Sequence, residues 1–199
     1  MARIPESFRA FQFQTGINHI RDAYRASAAT LEKAHADAAQ AYDDWDRMGI
    51  DGRVYDEDGT LIDSIEITRA EAARSAFLQV SLVREAFIMT TYHYWERSAK
   101  VWSGIQGYAN FYALRDRSSF PVSPQLENLN RLNNLLKHDI SRIDPQLVRD
   151  RPDYFHNGLL APKPGDTIPN PRLQLRHEHV EEALEIIRAS GPAYPYPRS

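Results

Sequence analysis

The sequence predicts an all-α protein: a helical bundle built on two long antiparallel helices, with a small β-hairpin inserted between them. Three observations predict it. A heptad-spaced apolar seam runs through residues 15–48, and a second long apolar segment occupies residues 68–103. Between them, two short β-prone runs flank an acidic, glycine-containing loop. Two helices of matching length joined by a compact turn pack back to back, the usual spine of a bundle.

The first helix is expected from about Thr15 to Met48. Ile17, Tyr24, Leu31, Ala38 and Trp45 recur every seven residues, and Ile20, Ser27, Ala34, Ala41 and Met48 follow three places behind. That is an a/d seam, the pattern of a helix packed lengthwise on another, and it leaves room for dimerisation. Thr15 is the expected N-cap, and Gly49 ends the pattern. Arg53-Val54-Tyr55 and Thr60-Leu61-Ile62 then flank Asp56-Glu57-Asp58-Gly59, which reads as a hairpin insertion at about 50–67. Val54 stands where an EF-hand loop needs an oxygen ligand, so the acidic turn reads as structural and no metal is assigned to it.

Thr68-Arg69-Ala70-Glu71 has the form of a capping box and is expected to open the second helix, which runs to about Ser103. Apolar side chains spread around much of its circumference, as in a central helix. Each long helix should measure about 50 Å at 1.5 Å per residue. Residues 104–122 should hold a short helix and a loop, after which Ser123-Pro124 reads as the cap of a third helix ending near His138. Six prolines between 145 and 171 make residues 141–172 mostly loop. A last helix is expected from His177 to Ala189, stopped by Gly191-Pro192. One domain, residues 1–190, is thus expected, followed by a flexible Pro-rich tail at 191–199.

Composition narrows the chemistry. The chain has 199 residues, no cysteine and a net charge of −3. Disulfides, thiolate metal sites and thiol catalysis are therefore excluded. No apolar run is long enough for a membrane span, and the opening MARIPESFRAFQF lacks the apolar core of a signal peptide, so a cytoplasmic protein is expected. The mean charge conceals a gradient: residues 84–151 carry ten Lys/Arg against seven Asp/Glu, while the rest of the chain sums to −6.

The sharpest motif lies in that positive block. On a helix, Arg131 and His138 are seven apart and nearly in line, with Asn134 between them and Glu127 extending the stripe. Leu129, Leu132, Leu136 and Ile140 take the core-facing side. Arginine suits a phosphate, histidine moves protons near neutral pH, and an amide orients a phosphate or ribose hydroxyl. Such a set suffices for metal-free RNA cleavage by attack of the 2′-hydroxyl on the adjacent phosphate. The same spacing also describes a solvated helix face with His138 favoured by the helix dipole. On the second helix, His93, Glu96, Arg97 and Lys100 form a polar stripe, from which Glu96 is a candidate to orient Arg131 or His138. His177-Glu178-His179 reads as a helix start rather than a metal site, because the two rings diverge on a helix.

The stretch Arg131 to His138 resembles the Arg-x(4–6)-His motif of HEPN domains (higher eukaryotes and prokaryotes nucleotide-binding). Asn134-Leu135-Leu136-Lys137-His138-Asp139, followed by Arg151-Pro152-Asp153-Tyr154-Phe155, is similar to the ending of several bacterial HEPN-like groups, and Tyr94-Trp95-Glu96-Arg97 resembles their preceding helix. The resemblance implies an all-α, often dimeric bundle that binds RNA, with no cofactor. It also implies metal-independent endoribonucleases of toxin–antitoxin and phage-defence systems, with an antitoxin or other protein as partner. Carried over, Arg131 would hold the phosphate and His138 would transfer the proton, with Asn134, Asn133, Lys137 and Glu96 binding or orienting RNA. Leu132 stands where the family places a polar residue, and Asn134 is its candidate substitute. In a second register Asn133 takes the arginine position, which leaves the site without its cation. The competing expectation is a non-catalytic helical dimerisation or protein-interaction module of the same fold.

Overall fold

Local sequence and packing together set where each helix begins. In the structure, a computed structural model describing residues 5–49, 51–138, 143–156 and 173–194, α1 spans Glu6–Met48. The helix starts nine residues before the expected Thr15, with Pro5 accepting the first amide bonds. Gly16 is therefore helix interior. A Cβ there would lie 2.0 Å from the Tyr94 hydroxyl oxygen, so the glycine's low helix propensity is exchanged for a close ring contact.

The hairpin forms as expected, with β1 (Arg53–Tyr55) antiparallel to β2 (Leu61–Ser64) and a register irregularity after Val54. Asp56 explains the acidic turn, because its carboxylate accepts the Asp58 and Thr60 amides at 3.0 and 2.7 Å. Strand β2 passes directly into α2 (Ile65–Ser103). The helix thus starts three residues before the expected Thr68 box, with the buried Ser64 hydroxyl facing the Ile67 amide. Then follow α3 (Phe111–Asp116), α4 (Leu126–Lys137), α5 (Pro145–Asp150), a 3-10 turn at Pro152–Tyr154, and α6 (His177–Arg188). The fold is all-α with one small hairpin. Ser123 does not cap α4 directly. It closes a preceding turn through its carbonyl to the Leu126 amide at 3.0 Å. Asp139 and Ile140 of the motif, and most of the expected 141–172 loop, lie outside the described residues.

The chain packs as two units, residues 1–23 with 84–199, and residues 24–83. In the larger unit, Ile17 of α1, Ile88 and Trp95 of α2, Leu129 and Leu132 of α4, and Val180 and Leu184 of α6 are fully buried. Burial of such side chains contributes roughly 1.5–3 kcal/mol each. Polar clasps fix the register of this core. Trp95 donates its indole N–H to the Ser190 carbonyl at 2.8 Å, and the Ser190 hydroxyl oxygen accepts the Ser123 amide at 3.0 Å. Arg188 reaches Gln14 and Asn18 of α1 at 2.9 and 2.7 Å.

In the 24–83 unit the two long helices run antiparallel, with the Arg69 guanidinium donating to the Ala41 carbonyl and the His35 and Phe77 rings 5.8 Å apart. Here the expected seam is only half covered. Leu31, Ala38 and Trp45 are half-buried, whereas Ala34 and Ala41 are exposed and Met48 is 64% exposed. Two helices alone can cover one stripe of each other, and a second apolar row remains in solvent. The same holds for α2, where Phe77, Leu78 and Leu82 are exposed.

Candidate functional site

The motif helix α4 is anchored by its apolar side: Leu126, Leu129 and Leu132 are fully buried and Leu135 nearly so. Its polar side divides in two. Arg131 faces carboxylates, bonding Glu127 at 2.7 Å, one turn back, and approaching Asp144 at 3.3 Å and Asp150 at 3.4 Å. Asp144 also caps α5, accepting the Gln146 amide at 2.8 Å, so Arg131 pins α4 to both ends of α5. Glu127 in turn is approached by Arg115 at 3.7 Å and by the Tyr112 hydroxyl at 3.4 Å. A guanidinium with three carboxylate neighbours is electrostatically occupied.

Asn133, Asn134, Lys137 and His138 line a different feature, a cleft of about 440 Å³ that Asn130, Tyr92, Glu96, Tyr108, Asn110 and Phe111 also line. Asn134, Lys137 and His138 are exposed, and Tyr108 is 93% exposed at the rim. His138 is the C-cap of α4, its backbone already extended and its amide bonded to the Asn134 carbonyl at 3.2 Å. Tyr92 donates its hydroxyl to the Asn130 side chain at 2.6 Å. Burial, with Glu96 adding to it, raises the Tyr92 pKa, so the phenol stays protonated. Glu96 shares the cleft wall with His138, but its hydrogen-bonding partner is His93 at 3.0 Å.

Asn133 carries the least expected feature. It is fully buried, and among the described residues neither its amide nitrogen nor its oxygen has a hydrogen-bond partner. An unsatisfied buried polar group costs roughly 1–3 kcal/mol. The structure therefore brings together Asn133, Asn134, Lys137, His138 and Glu96, and gives Arg131 a separate set of contacts. No helical period in the sequence links Asp144 and Asp150 to Arg131.

A second polar cluster surrounds His179, which is 4% exposed. Its Nδ1 accepts the Arg176 amide at 3.1 Å, and its Nε2 lies 3.3 Å from Asp153. This assigns the neutral tautomer with the proton on Nε2. Desolvation lowers the His179 pKa against the opposing pull of Asp153. The carboxylate is itself held by Arg151 at 2.8 Å, which lowers its own pKa. Arg151 also bonds Glu182 and lies 3.9 Å over the Tyr154 ring. His179 is thus part of the α6 start, and His177 faces Glu181 at 3.9 Å on the same helix. No group of three or more potential metal-ligating side chains occurs among the described residues. The chain matches no protein-family model, no curated protein and no solved structure.

Proposed function

We propose that this chain is a HEPN-like RNA-binding protein that holds single-stranded RNA in the cleft beside the C-terminal half of α4. The observation carrying this reading is a cleft that presents the exposed Asn134, Lys137 and His138 side by side, backed by a buried Asn133 amide with no hydrogen-bond partner among the described residues. The exposed Asn134 amide offers a donor and an acceptor to a base edge, Tyr108 offers a ring for stacking, and Lys137 offers a charge for a phosphate. Sequence-specific RNA recognition favours this combination over a purely cationic surface.

Metal-independent cleavage is the chemistry the motif would add. His138 would accept the 2′-hydroxyl proton as that oxygen bonds to phosphorus and the bond to the 5′-oxygen breaks. Arg131 would stabilise the phosphate only after leaving Glu127, Asp144 and Asp150, so cleavage in this reading requires that clasp to open. A bacterial toxin or defence role, a homodimer and an antitoxin partner accompany the family resemblance. The test is fluorescence anisotropy with labelled single-stranded RNA in EDTA, with gel analysis of the same samples. Binding weakened by Lys137→Ala and by Asn134→Ala is expected, with any cleavage lost in His138→Ala. Wild-type binding in both binding variants would refute the cleft.

A second reading, a protein-interaction module, is favoured by the 24–83 unit. It exposes Ile62, Ile67, Phe77, Leu78 and Leu82, and carries twelve Asp/Glu against six Lys/Arg. An apolar surface in an acidic setting fits a basic amphipathic segment of another protein. Titration with a basic amphipathic peptide tests it: binding abolished by Leu82→Glu with RNA affinity unchanged supports this reading, and no peptide binding refutes it.

A further inference from the structure

Most of the described arginines of the larger unit are occupied. Arg21, Arg115, Arg131, Arg151 and Arg188 each face at least one carboxylate. Arg9 of α1 and Arg97 of α2 form no side-chain hydrogen bond or ion pair among the described residues, and both line one pocket of about 270 Å³. Its remaining lining is Gln12, Phe13, Tyr94, Ser98, Val101 and Trp102.

The floor of this pocket is rigid and aromatic. Phe13 stacks on Tyr94, with ring centroids 5.5 Å apart and planes 9° from parallel, and meets Trp102 edge-on at 4.9 Å. Trp102 is backed by Phe120 at 5.0 Å. The Tyr94 hydroxyl lies 3.2 Å from the Gln12 and Phe13 carbonyls. Gly191 presses against Phe13 so closely that a Cβ would lie 2.3 Å from the ring. The ring set therefore has little freedom to lose when a ligand lands on it, which favours binding.

We infer that this pocket is a second binding site, for a small ligand joining one flat aromatic ring to an anionic group, either a carboxylate or a phosphate monoester. The ring would rest on Phe13, Tyr94, Trp102 and the exposed Val101. The anion would lie between Arg9 and Arg97, two guanidinium groups without a carboxylate partner among the described residues. Guanidinium forks match both oxyanions in geometry, while Gln12 and Ser98 supply neutral hydrogen-bonding groups at the edge. The pocket's size suits one or two rings. This site is separate from the α4 cleft and does not depend on the RNA reading.

Isothermal titration of the full chain with phenyl phosphate, benzoate, phenol and inorganic phosphate tests the inference. Phenyl phosphate or benzoate should bind with Kd on the order of 1 mM or tighter. Arg9→Ala and Arg97→Ala should each weaken that binding about tenfold, with Arg97→Lys retaining part of it. Thermal melts of each variant separate lost binding from lost folding, and the exposed Arg97 makes its variant the safer of the two. Binding of phenyl phosphate alone assigns the site to phosphate monoesters, and binding of benzoate alone assigns it to carboxylates. The inference is overturned if neither binds up to about 10 mM. It is equally overturned if phenol or inorganic phosphate binds as tightly as the combined ligand, or if a folded Arg97→Ala protein binds unchanged.

Discussion

Replacing Arg131 decides whether the motif arginine acts on RNA or holds the fold. Arg131→Met keeps most of the stem and removes the charge that faces Glu127, Asp144 and Asp150. The Arg131 side chain is 21% exposed and the three carboxylates are 34%, 44% and 34% exposed, so each pair is partly screened. At about 0.5 kcal/mol per screened pair, the clasp contributes about 1.5 kcal/mol. In a chain of this size that corresponds to a melting temperature lower by about 3–6 °C. The converse perturbation is Asp144→Asn with Asp150→Asn, which keeps an N-cap on α5 and leaves Glu127 as the one carboxylate of the clasp still competing with a phosphate for Arg131. RNA binding by the double variant should then depend more steeply on salt, with the slope of log K against log salt more negative by about 0.7 for one added phosphate contact. Differential scanning fluorimetry and anisotropy titrations at several salt concentrations measure both quantities. An Arg131→Met protein that melts within about 1 °C of wild type, yet loses RNA binding or cleavage, would refute the structural role.

Three other expectations follow from single sites. Asn133→Leu replaces an unpaired buried amide with an apolar group, so the protein should gain about 1 kcal/mol in urea unfolding while RNA affinity falls; a loss of stability would mean the amide is satisfied by bound water. Gly16→Ala places a methyl group against the Tyr94 ring and should cost about 1–3 kcal/mol, and an unchanged melting curve would contradict the close approach. His179 titrates against a folded-state pKa lowered by burial, amid Arg151, Arg176, Asp153 and Glu182. The unfolded chain therefore takes up the proton first, so the stability contribution is complete above about pH 6.5 and declines as pH falls below it. Urea unfolding across that window should show the decline in wild type and a flatter profile in His179→Gln.

What the sequence made legible was periodic. The heptad rows of α1, the turn chemistry of the hairpin and the leucine face of α4 all express one-dimensional spacing, and each element formed. Helix starts were less legible, because they answer to contacts made elsewhere. Gly16 reads as a weak helix start until Tyr94 is placed against it, and Thr68 reads as a cap until β2 delivers the chain into α2 at Ile65. The candidate site shows the same limit. The stripe from Glu127 to His138 is visible as spacing, but its division is not. Arg131 turns to Asp144 and Asp150, thirteen and nineteen positions further on, while Asn133, which the helical pattern alone leaves ambiguous, becomes the buried edge of a cleft.

In the proposed reading, charge distribution constrains how RNA would be held, more than the mean of −3 implies. The 24–83 unit carries −6 and repels a polyanion, whereas the remainder carries +3. Among the eleven described arginines of that remainder six face carboxylates, and the α4 cleft contributes one lysine without an ion pair among the described residues. Binding there must rest on amide hydrogen bonds and stacking, with only one or two phosphates neutralised. A single-stranded RNA held this way should lose affinity gently with salt, with a slope near about −1. A slope steeper than about −3.5, which corresponds to about five neutralised phosphates, would place the RNA on some other surface. The Asp144/Asp150 double variant gives the internal calibration, since loosening the clasp on the half-buried Arg131 should move the slope by about one phosphate contact and leave the contribution of Asn134 unchanged.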